Sequence, residues 1–220
     1  MQIFERILAY IFPDACVGCS ARNSLLCSTC EKELAPARAN KDSFISAVYS
    51  FADRRVQRLI WLLKYKNAHR VADILGKPMV VCLEKFLQKN AGQGVPVHYI
   101  LVPIPLSKER HRERGYNQSE LLARSMVHAA SRIGSDISLR IETHLLKKTQ
   151  NTFAQAKVYN KRARLKNISD CFTVNTGRVP LSSVIILVDD VTTTGTTLSE
   201  ARRALRKAGF QYVYAQTAAH

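Results

Sequence analysis

The stretch VIILVDDVTTTGTT, residues 184–197, decides how this chain is read. Five apolar residues (184–188) run directly into two adjacent acids, Asp189 and Asp190. A tract of Val191, Thr192, Thr193, Thr194, Gly195, Thr196 and Thr197 follows, and a helical pattern opens at Leu198. A short apolar run bounded by turn residues predicts a strand buried in a parallel sheet. Ligands of open parallel sheets bind beyond the carboxyl ends of the strands. The loop at that place suits an anion. Gly195 permits a tight turn, and the N–H groups of 193–197 can converge near the positive end of the next helix. Threonine hydroxyls add donors, and each hydrogen bond to a charged partner contributes about 1.5–3 kcal/mol. Asp189 and Asp190 would repel a phosphate, so they suit the hydroxyls of an attached sugar, or a Mg²⁺ ion. The stretch predicts a sugar-phosphate pocket.

At 220 residues the chain has room for one full domain and a small appendage. Its formal charge of +16 says nothing about fold but predicts attraction to polyanions such as nucleic acid or acidic membrane surfaces. The opening residues, MQIFERILAYIF, are apolar but carry Glu5 and Arg6 and no basic leader or small-residue cleavage site. No apolar run approaches the roughly 18 residues of a membrane helix. The expectation is a cytoplasmic protein without a membrane span. Neither G-x-x-x-x-G-K-[ST] nor G-x-G-x-x-G occurs, so the common nucleotide loops are excluded.

Four of the six cysteines form two pairs, Cys16 with Cys19 and Cys27 with Cys30, seven residues apart. Such pairs supply four soft ligands for a tetrahedral structural Zn²⁺. A segment this short cannot build its own core, so metal binding would supply its folding energy. Cys82 and Cys171 stand in apolar surroundings and read as packing residues. The low-apolar stretch APARANKDS marks a boundary, giving a module at 1–42 and a main domain at 43–220.

Along the chain, apolar spacing predicts a first helix over the opening residues, stopped by Pro13. A strand is expected at 44–51 and an amphipathic helix around Val56, Leu59, Ile60 and Leu63, with Arg54, Arg55, Arg58 and Lys64 among its other positions. Helices are expected at about 70–89, 117–132 and 197–208, and strands at 97–102, 184–188 and 212–217. Alternating strands and helices argue for an α/β fold with a mainly parallel sheet.

Two basic segments remain. The first, VPIPLSKERHRERGYNQSELLA at 102–123, packs Lys108, Arg110, His111, Arg112 and Arg114 into a predicted loop. Arginine's planar fork of donors suits pyrophosphate oxygens. The second spans 147–167 and holds seven Lys or Arg and no acid. Its Lys147, Lys148, Gln155, Lys157, Lys161, Arg162 and Arg164 are candidates for a lid over an anion or a nucleic-acid track, with Phe153 and Tyr159 as stacking surfaces.

The segment from the apolar strand through T-T-G-x-T resembles the phosphoribosyl pyrophosphate (PRPP) loop of type I phosphoribosyltransferases. The resemblance implies that the two acids contact the ribose hydroxyls and that the Thr/Gly loop wraps the 5′-phosphate. Over nearly its whole length the chain resembles the ComF family (including GntX-like proteins), which joins a Cys₄ zinc module to a phosphoribosyltransferase-like domain. The marks are the paired cysteines, LLKYKN at 62–67, VPIPLSKERHRERGYNQ at 102–118, Thr152 with Gln155, Arg164 with Asn167, and the closing VDDVTTTGTT. Cys171 stands where a small residue is usual, and Lys147 and Lys148 where Arg is common. The resemblance implies a type I phosphoribosyltransferase-like sheet with helices on both faces. It also implies Mg²⁺ with PRPP, and a role in DNA uptake during natural competence. There the protein would handle single-stranded DNA beside a helicase-like translocase (ComFA). It leaves open the alternative of a Mg²⁺-dependent transfer from PRPP, with pyrophosphate release, in which Asp189 and Asp190 would be catalytic and the acceptor is unknown.

Overall fold

A computed structural model describes residues 15–38, 43–66, 68–90, 98–149, 171–177 and 179–220. The expected first helix, and the lid candidates Gln155, Lys157, Lys161, Arg162 and Arg164, lie outside the described residues. Among those described, the elements run α1 (Ser28–Lys32), β1 (Ile45–Tyr49), α2 (Arg54–Tyr65), α3 (Ala68–Asn90), β2 (His98–Pro103), α4 (Lys108–Arg114) and α5 (Gln118–Ile133). They continue as β3 (Ser138–Ile141), β4 (Leu146–Lys148), β5 (Phe172–Val174), β6 (Val184–Val191), α6 (Thr196–Lys207) and β7 (Tyr212–Ala219). Five strands form a sheet in the order β1-β7-β6-β2-β3, every neighbour parallel. β4 and β5 pair antiparallel as a separate ribbon.

Strand β6 explains why its sequence reads as a continuous apolar run. Side chains alternate across a sheet, and both faces are covered. Val184, Ile186 and Val188 point into one core with Leu59, Leu63, Leu75 and Leu122 from α2, α3 and α5. Ile185 and Leu187 point into a second core with Leu198, Ala201 and Leu205 from α6. Helices α3 and α5 approach closely because Gly76 has no side chain: a Cβ there would stand 2.5 Å from Ser125 Oγ.

The cysteine module packs on the outer end of this first core. Val17, Leu25, Leu26 and Leu34 belong to the same apolar cluster as Val56 and Leu59. Asp53 fastens the junction, capping α2 through Arg55 N (2.9 Å) and accepting from Ala35 N (3.2 Å). Arg55 in turn donates to Asp53 Oδ2 (2.8 Å) and to the Glu33 carbonyl (2.7 Å).

One expected loop is a helix. Residues 108–114 form α4, with Ser107 accepting from Arg110 N at its start and Gly115 in the left-handed region (φ 75°) at its end. The segment has no buried residue and thus no apolar periodicity to announce it. Its two caps supply the local signal instead. β3 and the β4–β5 ribbon add to the expected strands, because four- and three-residue strands carry too little pattern to be read from sequence.

Candidate functional site

The site lies where parallel-sheet geometry puts it, at the carboxyl end of β6. Asp189 and Asp190 are the last polar residues of that strand before the Thr/Gly loop. Asp189 Oδ1 accepts from the Ser119 hydroxyl of α5 (2.9 Å) and from the Asp190 backbone N–H (2.9 Å). Burial first, and the Asp190 charge second, push the Asp189 carboxyl up to about 8 against the pull of those two donors. Asp190 is buried, and its Oδ2 meets Lys64 Nζ of α2 at 2.7 Å. The acid pair is therefore not symmetric. One member is matched by a cation, the other by neutral donors.

The loop turns on Gly195, at φ 70° and ψ −1°, directly before α6. That is left-handed backbone, which favours glycine. No side chain caps α6, and its first turn holds no acid. Its leading N–H groups and positive dipole end face the loop without internal competition for an anion. Thr192 is buried and fixed by its N–H on the Ala219 carbonyl (3.0 Å), whereas Thr193, Thr194, Thr196 and Thr197 are exposed. The Thr194 and Thr196 hydroxyls share a hydrogen bond of 2.9 Å.

The basic candidates divide. Burial, and next the Arg110 guanidinium, push the Lys148 ammonium down, while Cys171, Asp189 and Glu109 pull it back up. Lys148 of the ribbon thus feels the charges of Arg110 of α4 and of Asp189, and Arg110 itself is exposed. Arg114 turns elsewhere: it donates to Gln118 Oε1 (2.9 Å) and lies over the Tyr65 ring at 5.3 Å. Lys108, Arg112 and Lys147 are exposed. Two participants carry no assignment from the sequence. Lys64 borders the apolar stripe of α2 and reads there as one more solvated cation. Ser119, fully buried in the first turn of α5, carries no motif of its own. Tyr116 adds to this convergence by donating to the Leu63 carbonyl (2.8 Å), which ties the RGYNQ segment to LLKYKN.

The second cluster is the cysteine module. The sulfurs of Cys16, Cys19, Cys27 and Cys30 all lie within 4.8 Å of one another. Cys19 and Cys27 sulfurs are 3.7 Å apart, close to the edge of about 3.8 Å expected for a tetrahedron with Zn–S of about 2.3 Å. Burial alone would raise the Cys16 thiol, yet backbone donors including Gly18 N (3.5 Å) and Cys27 N (3.4 Å) bring it down to about 6. Cys30 moves the other way, to about 12, driven first by its hydrogen bond with Cys27 and then by burial. Four thiols this close, one favouring thiolate, could hold a metal such as zinc.

A parallel sheet with an acid pair and a Thr/Gly turn at its central carboxyl end, plus a four-cysteine cluster that could hold a metal, defines an α/β protein with an appended cysteine module. No family model matches the chain. Curated relatives do. The chain is 37% identical to competence protein ComFC of Bacillus subtilis over 112 residues, which is 51% of this chain and 40% of that protein. It is 31% identical to competence protein F of Haemophilus influenzae over 115 residues, 51% of this chain and 46% of that protein. It is 26% identical to the DNA utilization protein YhgH of Salmonella typhi over 152 residues, 69% of this chain and 61% of that protein. The matched regions thus span 40–61% of these relatives' lengths. Together the relatives support assignment of the chain to the ComF family. None of the described helices is long and apolar enough to cross a membrane.

Proposed function

We propose that this chain is a cytoplasmic DNA-uptake factor whose β6 pocket binds PRPP, with Mg²⁺, and whose basic surface handles single-stranded DNA beside a helicase-like translocase. The observation that carries the reading is the acid pair at the end of β6, set directly before a helix with no side-chain cap and no acid in its first turn. In this reading Asp189 addresses a ribose hydroxyl, since the Asp190 charge is already met by Lys64. The N–H groups of the 192–197 loop take the 5′-phosphate, and Arg110 and Lys148 take the pyrophosphate. The names of the relatives, competence protein and DNA utilization protein, support the uptake role. On this proposal the boundary at residue 42 also separates two roles. The metal module docks the translocase, and the sheet binds the small molecule.

The cationic charges of Arg110 and Lys148, the latter felt by Asp189, favour one further reading, transfer from PRPP with release of pyrophosphate. The two readings share the pocket and differ in turnover.

The uptake role is tested by titrating the protein with a labelled oligothymidylate at several salt concentrations. Affinity should fall steeply, with a log–log slope of about −0.7 for each phosphate neutralised. Binding that barely changes with salt would end the claim that the +16 charge serves DNA.

A further inference from the structure

Helix α2, RRVQRLIWLLKY, buries Val56, Leu59, Ile60 and Leu63, and carries a second pattern on its outer side. Arg54, Arg58, Trp61 and Tyr65 recur at steps of four, three and four residues, which aligns them along one side of a helix. All four are exposed, Trp61 to 49% and Tyr65 to 48%. The two rings adjoin, their centroids 5.8 Å apart and their planes tilted by 45°. Lys66 Nζ lies 5.7 Å from the Trp61 ring centre, and the Arg114 guanidinium 5.3 Å from that of Tyr65. Cations at this range are attracted to the ring face. They flank the aromatics while about half of each residue stays open to solvent. The helix contains no acid.

The location adds to the pattern. The stripe begins beside the cysteine module, where Arg58 Nη1 donates to the Val17 carbonyl at 3.4 Å. It ends beside the acid pair, where Lys64 meets Asp190. A protein partner would bury an apolar patch with few charges at its centre. Here cations flank both rings, and no acid accompanies them on the helix. The matching partner is an anionic polymer with flat, unpaired faces. Single-stranded nucleic acid meets both requirements, since bases stack on aromatic side chains whatever their sequence.

We propose that the outer face of α2, made by Arg54, Arg58, Trp61 and Tyr65, is a stacking platform for single-stranded DNA. Phosphates follow the two arginines and bases rest on the two rings. The choice of DNA rests on the uptake reading above; the platform itself rests on the geometry.

Trp61 is the sole tryptophan, so its emission reports on this face alone. The full chain, loaded with zinc, is titrated with an oligothymidylate while Trp61 emission is followed. Anisotropy of the same oligonucleotide carrying a dye is read in parallel. Quenching should track anisotropy. Trp61→Ala and Tyr65→Ala should each weaken binding by about tenfold. Tyr212→Ala, an exposed aromatic at the opposite end of the sheet, should leave it unchanged. Melting temperature and zinc content equal to wild type show that the variants fold. Anisotropy that rises without quenching, or alanine variants that bind like wild type, would overturn the platform and leave the uptake reading standing. Tighter binding of an oligouridylate would overturn the assignment to DNA. No anisotropy change with any strand would sink the uptake reading itself.

Discussion

Asp189 holds a position where its charge is disfavoured by burial and by Asp190 beside it. A carboxyl whose pKa is raised on folding stabilises the protein below its unfolded value, and that contribution is lost as pH rises through the folded value. For Asp189 the window runs from 3.8 to about 8. Asn cannot titrate, and its carbonyl can still accept from Ser119. Asp189→Asn should therefore gain stability over wild type as pH rises, its melting-temperature advantage growing by at least about 2 °C between pH 5 and pH 8.5. An advantage that is flat with pH would show that Asp189 is not held neutral. The two acids are legible as a pair from their place after an apolar strand. Their inequality is not. It depends on Lys64 and Ser119, 126 and 70 residues away from their partners in sequence, and a lysine on a basic helix gives no sign of which acid it will meet.

At the level of elements, segments with a buried periodic face are readable and those without one are not. Val56, Leu59, Ile60 and Leu63 announce α2, and 184–188 announces β6. Helix α4 reads as a loop because Ser107 and Gly115 define it rather than buried residues. In the cysteine module the two cysteine pairs are plain in the sequence, but the role of Gly18 is not. A Cβ at Gly18 would stand 2.6 Å from Cys30 Sγ and 3.2 Å from Arg55 Cδ. Gly18→Ala should thus push apart the cysteine cluster and its junction with α2. Zinc released on chelation, measured with a colorimetric dye, should fall well below the wild-type stoichiometry, and the melting temperature should drop with it. Full zinc content in the variant would show that the cluster tolerates a side chain where the close contact forbids one.

At the scale of the whole molecule, fold class follows from the alternation of strands and helices. Strand order does not, because nothing in a single strand says which neighbour it will find. Chain order ends with β7, yet β7 sits between β1 and β6. That arrangement sets the 192–197 turn beside the last strand, with Thr192 N–H on the Ala219 carbonyl. It also sets α2 and α5 over one face, so that Lys64 and Ser119 reach the acid pair of β6 from two distant segments. The cysteine module extends that face rather than standing apart, sharing its core with α2. On the function proposed above, the carboxyl end of β6 is a PRPP pocket. The most direct measurement is a ³¹P NMR titration of PRPP and Mg²⁺ with wild type and with the Asp189→Asn, Asp190→Asn double variant, both at full zinc content. Wild type should shift or broaden all three phosphorus resonances to saturation while the double variant leaves them as in buffer. A growing pyrophosphate signal with wild type alone would add turnover to binding. Resonances perturbed equally by both proteins, or by neither, would contradict the claim.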